Sequence, residues 1–322
     1  MPWRRPPRWW PLVLGALCVL VVLAVLITSW SPVMAGHPAY LITLMVVAIG
    51  GIIAIAVATL TRRSAAPRER TPRRWLVWTG RVVAALVVVG LVGALWWLRP
   101  IGATGVALDA LHSGDGVVVT QSATRIELRP TGEVDPTGLI FYPGAKVDAR
   151  AYAAILRPIA EAGHLVVIVK MPYGVALLDV NAASSVIDAE PEVDQWVVAG
   201  HSLGGTAAAR YASDHPDEIA GLVLWASYPA DDLNGDDLAV LSVSGTEDGL
   251  TTPADVEDSR ADLPPDTEFV AVEGATHAQF GDYGLQRRDG TATISRAEAQ
   301  RQIVAATLAF LDALDATSRS AA

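Results

Sequence analysis

The sequence predicts an α/β domain with a mostly parallel sheet and helices on both faces, preceded by three transmembrane helices. Hydrophobic residues make up 52% of the 322 residues and the mean hydropathy is +0.35, which is more apolar than an ordinary soluble protein. Residues 1–98 hold ten arginines and one acid (+9), whereas residues 99–322 hold 14 basic and 33 acidic residues (−19). After residue 99, short apolar runs alternate with helix-like stretches. We therefore expect a membrane anchor over residues 1–98 and one α/β domain over residues 99–322.

Three apolar segments have the length of membrane-spanning helices. Residues 12–30 and 39–60 contain no charged residue, and residues 76–98 contain only Arg81. A helix needs about 20 residues to cross ~30 Å of hydrocarbon. Arg81 lies one turn inside the third segment, where its side chain can reach the headgroups. The segment ends are rich in tryptophan, as is typical of membrane interfaces: Trp9, Trp10, Trp30, Trp75, Trp78, Trp96 and Trp97.

The arginines of the flanking loops predict the orientation. Residues 1–11 hold three arginines and residues 61–74 hold six, whereas residues 31–38 hold none. The positive-inside rule places the N-terminus and the second loop in the cytoplasm and residues 99–322 outside. We expect a multi-pass cell-membrane protein that contacts the lipid bilayer and no nucleic acid, since topology explains a short arginine-rich loop between two spans. Cleavage at the small residues 33–35, the alternative for the first segment, would leave the α/β domain on the same side.

Short apolar runs bounded by Gly, Pro and Asp predict the strands of the α/β domain. These strands cover residues 117–121, 125–128, 139–142, 165–169, 196–199, 219–224, 239–244 and 267–272.

Apolar residues at a spacing of three and four predict the helices. The clearest is 149–162, where Tyr152, Ile155, Leu156 and Ile159 share one face. The others are predicted at 181–189, 203–213, 255–263 and 295–314. Strands that alternate with helices form a parallel sheet covered on both faces. Ligands of such sheets bind at the carboxyl ends of the strands.

The strongest functional motif is Gly200-His201-Ser202-Leu203-Gly204, which lies between a predicted strand and a helix rich in small residues. A G-x-S-x-G pentapeptide in this setting forms a tight turn in which the serine is strained and only glycine-sized neighbours fit. The hydroxyl then stands at a helix N-terminus, whose free N–H groups favour a developing negative charge. The motif predicts that Ser202 is a nucleophile. The alternative is an ordinary glycine-rich turn.

A nucleophilic serine needs a base, and with this motif an acid and then a histidine follow the serine along the chain. Of the six histidines, only His277 lies in a loop directly after the last predicted strand. His201 adjoins the serine, so its side chain should point away from the hydroxyl. The orienting acid should follow the preceding strand, where the segment GTEDGLTTP offers Asp248 in a turn. Glu247 and Asp255 are the alternatives.

Two backbone N–H groups are predicted to bind an oxyanion. One belongs to Leu203, directly after the serine, and the other to a loop after an early strand. The segment Tyr142-Pro143-Gly144-Ala145 provides that loop. Counted back from Tyr152, the position resembles that of the donor in known hydrolases and favours the N–H of Ala145. Pro143 is excluded because proline has no N–H to donate. The alternative for this segment is a plain β-turn.

Residues 115–315 resemble the α/β-hydrolase superfamily, and within it the small alpha/beta hydrolase family branch related to dienelactone hydrolases. The resembling stretches are LIFYPGAKVDARAY, LVVIVKMP, VVAGHSLGGT, SGTEDGLTTP and ATHAQFGDYGLQ. The resemblance implies an α/β-hydrolase fold, activity on esters or related acyl bonds, and the roles of Ser202 as nucleophile, Asp248 as acid and His277 as base. About fourteen residues separate Leu224 from Ala239, so we expect no large helical lid there, unlike in many lipases.

These features predict a membrane-anchored serine hydrolase that acts on a small or lipid-like ester through an acyl-enzyme. No cofactor or metal is expected, and the single cysteine, Cys18, excludes an intrachain disulfide. Acyl transfer to an alcohol or lipid is an alternative on the same residues. A non-catalytic binding domain on this fold is the other alternative, although such a domain has no need of all three side chains. The acidic outer domain disfavours polyanionic substrates.

Overall fold

The computed structural model describes residues 9–60 and 74–321, in two compact units that meet in sequence at Arg99–Pro100. The arginines of residues 1–8 and 61–73, on which the predicted orientation depends, lie outside the described residues. The orientation therefore stays a prediction.

The N-terminal unit consists of the helices α1 (Trp9–Ala35), α2 (Pro38–Leu60) and α3 (Arg74–Trp97). All three are long and apolar enough to cross a membrane, as the sequence predicts. A non-helical residue at Ser29 bends α1, and Pro32 explains the bend because its ring cannot fit the helical hydrogen-bond pattern. Helices α1 and α2 cross closely at two glycines: a Cβ on Gly15 would lie 2.6 Å from the carbonyl oxygen of Gly51.

The second unit is built on one eight-stranded sheet within the described residues, in the order β1-β2-β4-β3-β5-β6-β7-β8. Strand β2 pairs antiparallel with β1 and β4, and all other neighbouring pairs are parallel. The strands are β1 (Val117–Gln121), β2 (Arg125–Pro130), β3 (Thr137–Tyr142), β4 (Val166–Val169), β5 (Gln195–His201), β6 (Ile219–Trp225), β7 (Ala239–Gly245) and β8 (Glu268–Val272). The mostly parallel sheet is thus the one that the sequence predicts.

Helices pack on both faces of this sheet. They are α4 (Gly105–Asp109), α5 (Ala153–Glu161), α6 (Ser184–Ile187), α7 (Leu203–Asp214), α8 (Pro253–Asp258) and α9 (Arg296–Ala321), with short 3-10 turns between them. Alternate residues of β3 face opposite layers: Leu139 and Phe141 pack with α5 and α9, whereas Ile140 and Tyr142 pack with α7. Burial of each such large side chain contributes about 1.5–3 kcal/mol. The connection 226–238, which lies wholly within the described residues, contains no helix, so no large lid covers this edge.

The looser helical stretch predicted around 181–189 is present as an irregular segment. It consists of the 3-10 turn Val180–Ala183 and the one-turn helix α6. The Tyr142 hydroxyl explains this, because it donates to the carbonyl of Val180 and accepts from the N–H of Ala183. Those two backbone groups are therefore diverted from a regular helix.

Candidate active site

Ser202 occupies a strained turn between β5 and α7. Its backbone angles, φ of 53° and ψ of −129°, lie in a region that residues other than glycine rarely adopt. Gly200 and Gly204 make the turn possible, because a Cβ on Gly200 would clash with the backbone of Gly204. A Cβ on Gly205 would lie 2.6 Å from the Cβ of Ser227. The sequence-based explanation of these three glycines is therefore confirmed.

The same packing brings the two predicted oxyanion loops together. A Cβ on Gly204 would clash with the carbonyl oxygens of Tyr142 and Pro143, so the start of α7 lies directly against the end of β3. Within the described residues, the N–H groups of Leu203 and Ala145 make no hydrogen bond, as an oxyanion site requires.

The N–H of Gly144, next to Ala145, is already hydrogen-bonded and is therefore not available to bind an oxyanion. It donates to the Tyr152 hydroxyl at 3.0 Å. The prediction of Ala145 rather than its neighbour is consistent with this arrangement.

Asp248 and His277 form a buried hydrogen bond. Asp248 follows β7 and His277 follows β8, and Oδ2 of Asp248 lies 2.8 Å from Nδ1 of His277. The side chains are only 0% and 1% exposed, respectively. The other carboxylate oxygen accepts from the N–H groups of Leu250 and Thr251, both at 2.8 Å. These bonds fix the carboxylate, which in turn holds the imidazole with its proton on Nδ1.

The two alternative acids, Glu247 and Asp255, occupy other positions after β7. Glu247 is exposed to solvent. Asp255 accepts from Thr252 in the capping box that begins α8. Neither carboxylate hydrogen-bonds to His277 in the described part of the chain, so the structure favours Asp248.

His201 is buried beside this pair and is held as a neutral imidazole. The Tyr152 hydroxyl accepts from the N–H of Gly144 at 3.0 Å and lies 2.8 Å from Nδ1 of His201. Burial lowers the pKa of His201 well below its usual range, and the neighbouring His277 acts in the same direction. The rings of His201 and His277 lie 4.4 Å apart between centroids, so the residue adjacent to Ser202 packs directly on the proposed base.

Asp289, which no sequence pattern predicts as a site residue, ties the two loops of the site together. Its Oδ1 accepts from the N–H groups of His277 and Gly249, at 3.1 and 3.2 Å, and from its neighbour Gly290. Its Oδ2 accepts from the N–H of Ala278 at 2.8 Å. The local sequence QRRDG indicates only a turn, and no periodicity points to partners 11 to 40 residues away.

Arg296, at the start of α9, holds the same loop from the other side. Its guanidinium donates to the carbonyls of Ala278, Gly281 and Gly284. The turn that carries His277 is therefore anchored by one carboxylate and one guanidinium, both outside the predicted set.

The sheet and the strand-turn-helix around Ser202 agree with comparison to known proteins. A sequence profile of the Alpha/beta hydrolase family matches residues 138–302, half of the chain. The chain belongs to the alpha/beta hydrolase family. All the residues of the candidate site described above, from Tyr142 to Arg296, lie within that match.

The individual proteins that this chain resembles are distant in sequence. A protein of Mycobacterium phage D29, whose name assigns it provisionally to the non-heme haloperoxidases, is 28% identical over 116 residues, 33% of this chain and 41% of that protein. The chain thus spans about two fifths of the length of the curated relative it matches. A predicted CIB-like hydrolase from Thermoplasma acidophilum has a TM-score of 0.46 at 17% identity, over 61% of this chain and 99% of its own. XC6422 of Xanthomonas campestris, a serine hydrolase without lid, has a TM-score of 0.44 at 16% identity, over 62% and 97%.

Replacing Asp289 tests whether it positions the site. Asp289→Ala removes the acceptor of four N–H groups, so we expect turnover to fall about 10- to 100-fold with little change in KM, and the free energy of unfolding to fall by about 1–3 kcal/mol. The control is Glu273→Ala, since Glu273 is exposed in the same loop and has no hydrogen bond within the described residues. Equal turnover in the two variants contradicts the positioning role.

The buried His201 predicts a pH dependence of stability. Because its pKa is lower in the folded protein, the unfolded state binds the proton more tightly, and stability falls as the pH drops below about 6.5. His201→Asn keeps an acceptor for Tyr152 but does not titrate. The free energy of unfolding should therefore fall less steeply with pH in this variant than in the wild type, by at most ~1.4 kcal/mol per pH unit. Unfolding of both proteins between pH 7 and 5 measures this, with exposed His112→Asn as control. An unchanged slope contradicts the assignment.

Proposed function

We propose that this alpha/beta hydrolase is a membrane-anchored serine hydrolase that cleaves a carboxylic ester or a related acyl bond. The observation that carries the proposal is the buried hydrogen bond between Asp248 and His277, packed on the residue next to the strained Ser202. A buried carboxylate–imidazole pair beside a strained serine is the arrangement of acid, base and nucleophile that acyl transfer through a serine uses.

The proposed reaction begins with proton transfer. Asp248 keeps the proton of His277 on Nδ1, which leaves Nε2 with a lone pair to accept the proton of the Ser202 hydroxyl. The serine oxygen attacks the substrate carbonyl, and His277 then delivers the proton to the leaving group. Water repeats the sequence on the acyl-enzyme and releases the acid. Asp248 stays ionised and stabilises the imidazolium that forms in each half-reaction.

The negative charge of the tetrahedral intermediate goes to the substrate oxygen. We assign its stabilisation to the N–H groups of Leu203 and Ala145, which are unpaired within the described residues. The N-terminus of α7 adds its dipole at the same position. The contact of Gly204 with the end of β3 holds the loops that carry both groups against each other.

The substrate is proposed to be neutral or amphipathic. The net charge of −19 over residues 99–322 opposes polyanions, and the absence of a helical lid over residues 226–238 leaves room for a bulky ester. The three apolar helices would hold the domain at a membrane, with residues 99–322 outside the cell. Acyl transfer to an alcohol in place of water uses the same residues and remains the second candidate.

Labelling of intact cells with a membrane-impermeant fluorophosphonate tests activity and orientation together. We expect the wild type to be labelled, Ser202→Ala to be blank, and the control Ser185→Ala, which removes an exposed serine outside the turn, to be labelled normally. Ester turnover should fall on the order of 10⁴- to 10⁶-fold in Ser202→Ala and His277→Gln.

The two parts of the proposal fail separately in this experiment. Folded wild-type protein that stays unlabelled even after lysis contradicts the hydrolase assignment. Labelling that occurs only after lysis leaves the hydrolase intact and contradicts the orientation.

A further inference from the structure

We propose that this hydrolase binds a divalent transition metal, Zn²⁺ in the first instance, through Asp135, His164 and Asp315. This cluster lies at the amino ends of the strands, opposite the edge that carries Ser202. Asp135 precedes β3, His164 precedes β4, and Asp315 lies in α9. The ligand atoms that the three side chains offer all lie within 4.8 Å of one another.

His164 supplies the observation that points to a metal. Its side chain is buried, at 1% exposure, and its Nδ1 lies 2.9 Å from the carbonyl oxygen of Thr137. A carbonyl only accepts, so Nδ1 carries the proton and Nε2 presents a lone pair. That nitrogen is buried and has no hydrogen-bond partner in the described structure. A histidine whose Nδ1–H is fixed by a carbonyl while Nε2 is free is oriented as a metal ligand.

A protonated histidine paired with the carboxylates is the competing account. It requires a hydrogen bond from Nε2 of His164 to a carboxylate, and Nε2 makes none within the described residues. Around a Zn²⁺ ion with bonds of about 2.0–2.2 Å, neighbouring ligand atoms lie roughly 3.5 Å apart. All the ligand atoms of the cluster lie within 4.8 Å of one another, a range that includes this spacing.

The carboxylates are also held in place. Thr137, itself buried, donates from its hydroxyl to Asp315 and accepts from Gln195. Gly163 has a φ of 124°, and a Cβ there would clash with a carboxylate oxygen of Asp135, so only glycine lets that carboxylate reach the cluster. Hydrogen-bond partners that orient the ligating side chains raise the affinity for a metal.

The donor set selects the metal. One imidazole and two carboxylates suit Zn²⁺ and its neighbours, whereas Ca²⁺ and Mg²⁺ prefer oxygen ligands alone. Water would complete the coordination. The ion would link the amino ends of β3 and β4 to α9, in a domain that has no disulfide. It would therefore stabilise the fold and would take no part in the chemistry at Ser202.

The test is zinc binding by the full-length protein in detergent, after stripping with a chelator. We expect one tight Zn²⁺ per chain by competition with a fluorescent chelator, and a Tm higher by about 5–10 °C at free zinc 100-fold above Kd. Asp135→Asn is isosteric, and His164→Asn keeps a donor for the Thr137 carbonyl but removes Nε2. Each should weaken binding by at least ~10-fold.

Controls separate this cluster from other zinc ligands. Asp312→Asn, an exposed acid on α9, and His277→Gln, at the opposite edge, should bind zinc as the wild type does. If His164→Asn does not fold, Asp135→Asn decides alone. Wild-type protein without a stoichiometric zinc, or zinc binding that is unchanged in Asp135→Asn, overturns the proposal.

Discussion

The contact between Gly204 and the carbonyl oxygens at the end of β3 is the constraint on which the carboxyl edge of the sheet depends. It sets the position of α7, and the position of α7 forces Ser202 into its strained conformation at the end of β5. The same contact brings the loops of Leu203 and Ala145 together, whose N–H groups make no hydrogen bond within the described residues. A larger residue at position 204 would therefore disturb the proposed nucleophile and the proposed oxyanion site at once.

Around this fixed turn, the proposed base and acid are held by hydrogen bonds and not by a covering lid. Asp289 joins the loop of His277 to the loop of Asp248 through backbone N–H groups, and Arg296 anchors the His277 turn through carbonyls. Because these contacts use the backbone, they fix the direction of the loops whatever side chains the loops carry. A rim of the site that is fixed by hydrogen bonds follows, and it is compatible with the proposed action on bulky amphipathic esters.

Local pattern was enough to predict the sheet, the turn at Ser202, and the loops of Asp248 and His277, since each depends on residues adjacent in sequence. Asp289 was not predictable, because its partner Gly249 is 40 residues away and only the folded chain brings them together. The cause of the irregular segment at 180–187 has the same origin, because its backbone bonds to Tyr142 from a distant strand. Tyr152 was placed on the apolar face of the helix 149–162, but its hydroxyl contact with His201 has no signature in the sequence.

The central claim is that Ser202 carries the acyl group during turnover. Mass spectrometry of the full-length protein, quenched within the first turnovers of an activated ester, tests this claim most directly. The account predicts an added acyl mass on the peptide that contains Ser202, which disappears as the ester is exhausted and accumulates when deacylation is slowed. Hydrolysis of the ester without any adduct, or with an adduct on another residue, would contradict it.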